Sequence, residues 1–168
     1  MMFEKLFGKK KKEGQAAQEV EVKAYADGEV IALKDVNDGV FSEGILGEGI
    51  ALKPSKGEVV SPADGVIVNV ADTKHSCGIQ LDNGVTLLIH IGLDTVMMNG
   101  KGFEVQVKNG QKVKTGKTLI TFDREKIKEA GHPDTIMLIV AENEEEREIE
   151  YQPYQKVTAN KDIVLKIR

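Results

Sequence analysis

Asp82-Asn83-Gly84 separates two apolar runs, and no other feature constrains the fold as tightly. Asn-Gly between such runs is the strongest short-range hairpin signal, because both central residues of a type I' turn need positive φ. With Asn83 and Gly84 as the loop, residue i faces residue 167−i. Leu81 then faces Thr86, Ile79 faces Leu88, Cys77 faces His90 and His75 faces Gly92. Side chains alternate faces with period two, so His75 shares a face with Cys77 and with His90. The two imidazoles become diagonal cross-strand neighbours, about 7 to 8 Å apart at Cα. A slip of one residue would put them on opposite faces.

The same punctuation runs along the chain. From Val20 onward short strands alternate with turns: Glu29–Leu33, Val59–Val60, Val66–Val70, the hairpin, Phe103–Val107, Thr118–Phe122, Thr135–Val140 and Ile163–Ile167, an all-β pattern. The 17 glycines against 4 prolines suit many tight turns. One helix is predicted over Arg124–Ala130, capped by Asp123 and stopped by Gly131. A weak internal echo is also present. Ala26-Asp27-Gly28-Glu29-Val30-Ile31 resembles Ala63-Asp64-Gly65-Val66-Ile67-Val68, and Gln111-Lys112-Val113 before Thr118-Leu119-Ile120 resembles Gln155-Lys156-Val157 before Ile163-Val164-Leu165. Two interlocked half-motifs would give a flattened antiparallel β-sandwich with short helical segments. At 168 residues the chain suits one well-buried core and is too short for two ordinary domains.

Two neutral imidazoles at one spot suit metal ligation, general acid/base work, or attack of a ring nitrogen on an electrophile while the second histidine stabilises charge. The competing reading is a satisfied core histidine, the commoner fate of a lone histidine on an apolar strand. Pairing two of only three histidines on one face favours the chemical readings. His132, in Ala130-Gly131-His132-Pro133, reads as an ordinary helix-end residue, and Cys77, with no partner motif, reads as packing.

The run Gly84-x-x-Leu87-Leu88-Ile89-His90-Ile91-Gly92-Leu93-x-Thr95-Val96 resembles, without gaps, the phosphorylation-site signature of the glucose-type enzyme IIA (EIIA type 1) of the bacterial phosphoenolpyruvate-dependent sugar phosphotransferase system. Asp72-Thr73-Lys74-His75 resembles the family's Thr-x-His segment, and Pro62-Ala63-Asp64-Gly65 its Pro-x-Asp-Gly turn. The resemblance extends from about Val22 to Ile167 and implies the duplicated hybrid-motif sandwich of that family. It implies that His90 takes a phosphoryl group from the phosphocarrier HPr and passes it to the IIB domain of a sugar permease. By the same resemblance His75 hydrogen-bonds the phosphoryl group and serves onward transfer, Thr73 is a nearby hydroxyl, and Asp94 is a carboxylate beside the site. No cofactor is implied. In enteric relatives zinc bridges the two active histidines, here His75 and His90, to a partner carboxylate, and the protein also binds regulatory targets.

Phosphohistidine chemistry suits these residue types. An uncharged imidazole offers a lone pair near neutral pH, and the phosphoramidate keeps a high transfer potential. The second nitrogen of His90 should be held as N–H, and the Gly92 carbonyl is a candidate. Ile79, Leu88, Ile91 and Val96 are expected to keep water away or form a flat docking surface, beside the equally open reading that any one of them is simple sandwich core.

Residues 1–18 are expected to form an amphipathic, basic amino-terminal arm ahead of a domain spanning 19–168. Met1-Met2-Phe3-Glu4-Lys5-Leu6-Phe7 precedes Lys9 to Lys12, so residues 1–12 read as a membrane-surface contact beside a disordered-tail alternative. A net charge of −4 argues against nucleic-acid binding and suits a basic HPr face. One cysteine and no apolar run of about 18 residues point to the cytoplasm, at most peripheral to the membrane. Three other functions compete. A zinc endopeptidase of related β architecture would want a His-x-His pair, which is absent, although Asp94 follows His90 by four residues. A lipoyl or biotinyl carrier shares the Ala-Asp-Gly turns but needs a Met-Lys-Met-like hairpin, which Met97-Met98-Asn99-Gly100-Lys101 does not supply. The third is a purely regulatory binding protein.

Overall fold

The computed structural model describes residues 19–168, so the expected arm over 1–18 lies outside the described residues. The described residues fold into antiparallel sheets. One runs β1 (Val20–Lys23), β14 (Ile163–Ile167), β12 (Ile149–Tyr151). A second runs β4 (Glu58–Val60), β10 (Thr118–Phe122), β8 (Phe103–Val105). The large, eight-stranded sheet runs β13 (Lys156–Val157), β2 (Gly28–Ala32), β3 (Glu48–Pro54), β11 (Ile136–Glu142), β7 (Thr86–Ile91), β6 (Ser76–Leu81), β5 (Gly65–Val70), β9 (Lys112–Val113). Helix α1 (Arg124–Glu129) starts where Asp123 accepts the N–H groups of Glu125 and Lys126. The all-β sandwich with short helical segments read from the sequence is the fold observed.

The echo has a structural counterpart. Asp27 accepts the N–H of Ala159 at 2.7 Å and Asp64 that of Thr115 at 2.8 Å. Val30 N–H donates to Gln155 O and Ile67 N–H to Gln111 O, both at 2.9 Å. The sheet orders match under the same exchange, β1-β14-β12 against β4-β10-β8 and β13-β2-β3 against β9-β5-β6. An approximate twofold therefore passes between the central strands β7 and β11.

Those central strands are covered on both sides. Leu87, Ile89 and Ile91 of β7 and Ile136 and Leu138 of β11 join the main core with Leu119, Leu165 and Ile167 of the small sheets. The alternate residues Leu88, Met137 and Ile139 pack in a second cluster beneath Leu33, Val36 and Phe41. A strand buried on both faces needs no polar alternation, which is why β11 reads Ile-Met-Leu-Ile-Val.

The hairpin forms, but one residue out of the expected register. Ser76, not Cys77, faces His90, and Cys77 faces Ile89. The loop has three residues: Leu81 N–H donates to Val85 O, Gly84 alone takes positive φ (+89°), and Asn83 keeps negative φ while its side chain accepts the Val85 N–H. A three-residue loop closed by a left-handed glycine is the common alternative to the two-residue type I' turn. Strands β1, β3, β9, β12 and β13 are additions to the sequence reading, as is the segment 33–46.

Candidate functional site

His90 lies on β7 with its side chain on the face away from the main core, opposite Ser76 on one neighbour and Met137 on the other. His75 precedes β6, in the turn that returns β5 to β6, where Ala71 N–H donates to Ser76 O and Lys74 N–H to Ala71 O. Lys74 takes a left-handed conformation (φ 64°) there. Strict alternation in the observed register would send the two histidines to opposite faces. His75 escapes it because it belongs to the turn, and the imidazoles meet edge to face with centroids 4.7 Å apart at 84°. The convergence is as expected; the route to it is different.

Each ring is held by its Nδ1. His90 Nδ1 lies 3.0 Å from the Gly92 carbonyl, which only accepts, so Nδ1 carries the proton and Nε2 keeps its lone pair. Gly92 does this from φ +81°, and a Cβ there would stand 2.4 Å from Thr95 Cγ2 and 3.0 Å from Pro133 O. His75 Nδ1 is 2.8 Å from Thr73 Oγ1.

Burial pushes the His90 imidazole down to about 4, helped by the neighbouring His75 and opposed by the Gly92 carbonyl, Asp38 and Asp94. His75 is also held below its ordinary value by burial, against hydrogen bonding to Thr73. Both imidazoles are therefore neutral at pH 7, the state a nucleophile needs.

The mouth of the site is a depression of about 520 Å³ lined by His90, Asp38, Val40, Phe41, Leu46, Leu93, Asp94, Val96, Asn37 and Pro133. Asp94 is exposed there, four residues along from His90. Of the residues expected to shield the imidazole, Val96 lines the depression and Leu88 packs in the second cluster. Ile79 and Ile91 do not serve, because period two places them in the main core on the far face. The aromatic ring found beside the imidazole is that of Phe41, 4.9 Å from that of His90 at 56°. Asp38 and Phe41 were outside the sequence reading. The signal for them is Asp38-Gly39 two residues before Val40-Phe41, an Asx-type turn followed by an apolar pair.

Cys77 is fully buried with its thiol pushed up to about 12, which makes it inert packing. His132 closes the end of α1, donating its N–H to Ile127 O. Two imidazoles supply half the four ligands zinc takes, and among the described residues no group of three or more His, Cys, Asp or Glu is placed to hold a metal. No helix among the described residues is long and apolar enough to cross a membrane.

Residues 20–146 match the family model described as phosphoenolpyruvate-dependent sugar phosphotransferase system, EIIA 1. A "PTS system glucose-specific EIIA component" of Staphylococcus epidermidis is 39% identical over 166 residues, 99% of this chain and 98% of that one. A "PTS system beta-glucoside-specific EIIBCA component" of Bacillus subtilis is 49% identical over 116 residues, 69% of this chain and 19% of that protein. The solved structure of glucose permease IIA from Mycoplasma capricolum matches with a TM-score of 0.81 at 35% identity, covering 89% of this chain and 96% of that one.

Proposed function

Because the chain belongs to the EIIA type 1 family of the phosphoenolpyruvate-dependent sugar phosphotransferase system, a transferase component of sugar uptake, we propose that it is a phosphocarrier acting through His90. Phospho-HPr presents its phosphoryl group at the depression. The P–Nε2 bond to His90 forms as the donor's P–N bond breaks, and His90 later passes the group to the IIB domain of a sugar permease. The observation that carries this reading is the Gly92 carbonyl on His90 Nδ1, which fixes the tautomer that leaves Nε2 free.

His75 supplies the second half of the chemistry. With the Thr73 hydroxyl donating to its Nδ1, its Nε2–H is left to donate to an equatorial phosphoryl oxygen, where charge collects in a loose transition state. Thr73 sets the tautomer of His75 as Gly92 sets that of His90. Asp38 and Asp94 rim an apolar mouth whose Val40, Leu46 and Val96 are 42%, 45% and 48% exposed. That arrangement suits a partner with an apolar centre and a basic surround, which is what HPr and a IIB domain would bring. The names of the relatives favour glucose or a related sugar, and the Bacillus subtilis protein's EIIBCA name favours IIB as recipient.

We further propose that the carrier works in the cytoplasm and that the basic, apolar sequence of residues 1–12 serves contact with the membrane surface near the permease. Zinc, when bound, would take His75 and His90 and draw its remaining ligands from a partner or solvent. Regulatory targets would dock on the same mouth.

The test is incorporation of acid-labile, base-stable label from phosphoenolpyruvate in the presence of enzyme I and HPr. Label on wild type and none on His90→Ala is expected, with His75→Gln accepting label but failing to pass it to IIB. Label persisting on His90→Ala would overturn the assignment.

A further inference from the structure

We propose that Asp38 is a positioning residue whose carboxylate fixes the Val40–Ser42 turn and thereby holds the Phe41 ring over His90. Oδ1 of Asp38 accepts the N–H groups of Val40 and Ser42, each at 3.1 Å, and Oδ2 accepts that of Phe41 at 3.0 Å. None of these three N–H groups donates to a backbone carbonyl among the described residues, so the carboxylate is their partner. Gly39 N–H donates to Ser42 Oγ and closes the turn on itself. Hydrogen bonds to an ionised carboxylate are roughly twice as strong as neutral ones. This segment lies outside the sheets, and the placement of Phe41 depends on that anchor together with its packing beneath it. The ring is 6% exposed and sits 4.9 Å from His90. Phe41 is the aromatic cover on the imidazole, and Asp38 is what ties its backbone down.

Asp38 also stands near His90 as a negative charge, and the two roles make different demands on the side chain. A charge is lost equally in Asn and Ala. A clamp is partly kept by Asn, whose one oxygen still accepts two N–H groups, and is lost in Ala.

The test is carbethoxylation of the full-length protein by diethylpyrocarbonate at pH 7, with His90 followed by peptide mass. His90 is neutral at that pH, so its rate reports access to the ring and not its charge. His90 should react faster in Asp38→Ala than in wild type, with Asp38→Asn in between and Phe41→Ala at least as fast as Asp38→Ala. Because Asp38 acts through Phe41, adding Asp38→Ala to Phe41→Ala should add nothing, a non-additivity of about twofold or more in rate. His132, at the end of α1 and away from the site, serves as the internal control and should keep its wild-type rate. Should Asp38→Ala lose its far-UV circular dichroism, Asp38→Asn decides: an intermediate rate supports the clamp, a wild-type rate overturns it. A wild-type rate in folded Asp38→Ala, or Asn equal to Ala with rates additive on Phe41→Ala, also overturns it. The consequence for the carrier rests on the proposed phosphoryl chemistry: phosphorylated His90 should hydrolyse faster in Asp38→Ala. If no phosphorylation is seen at all, that chemistry fails while the carbethoxylation result stands by itself.

Discussion

Replacing His90 by Gln should flatten the dependence of stability on pH across a defined window. In the unfolded chain the imidazole takes up its proton as pH falls through about 6.5, whereas in the fold it stays neutral until about 4. Between those values the unfolded state binds more protons than the native one, so stability falls as pH falls through the window and is fully present above it. A difference of about 2.5 pH units at about 1.36 kcal/mol per unit corresponds to about 3 kcal/mol lost by pH 4. His90→Gln has no such group to protonate. The assay is urea unfolding at closely spaced pH values between 4 and 7 for both proteins, with the difference between the two curves as the readout. Carboxylates and His75 titrate in both and largely cancel. The wild type should lose about 3 kcal/mol relative to the variant, most of it between pH 6 and 4. Parallel curves would refute the argument that burial and His75 hold His90 neutral, as would an NMR titration placing His90 near its ordinary value.

Gly92→Ala forces a side chain into a left-handed backbone against Thr95 and Pro133 and should cost about 2–5 kcal/mol by denaturant midpoint. An effect near zero would mean the turn has another conformation open to it. Tyr25 is fully buried and donates from its hydroxyl to Ile136 O at 3.0 Å, so Tyr25→Phe should lose about 1–2 kcal/mol in the same assay. An unchanged midpoint would show that the hydroxyl adds nothing net.

What the sequence made legible follows from how local each determinant is. The helix was readable because Asp123 and Gly131 are its own caps, and the duplicated turns because Asp27 and Asp64 carry the same neighbours. The hairpin existed in the text but its register did not. Asn83-Gly84 serves a two-residue or a three-residue loop, and the choice depends on which pairing buries Cys77, Ile79 and Leu81 against the small sheets. The meeting of His75 with His90 depended on a turn residue escaping strand alternation, which period-two reasoning cannot see. Strands β9 and β13 have two residues each, too few for a pattern to register. Phe41 was invisible for a different reason. Its segment has no periodicity of its own, and its place over β7 and β11 is set by packing on Met137 and Ile139.

The approximate twofold also sets an order of events during synthesis. The Asp64 clasp to Thr115 spans 51 residues and can close while β11 to β14 are still unmade. Its counterpart, Asp27 to Ala159, spans 132 residues, and β1 waits likewise for β14. A chain emerging amino-terminus first thus has all the residues of its second half-motif available before those of its first. Until the final residues appear, β1 and β2 lack their β14 and β13 partners, so a ribosome-bound intermediate would expose its earliest strands longest and be most open to wrong pairing there.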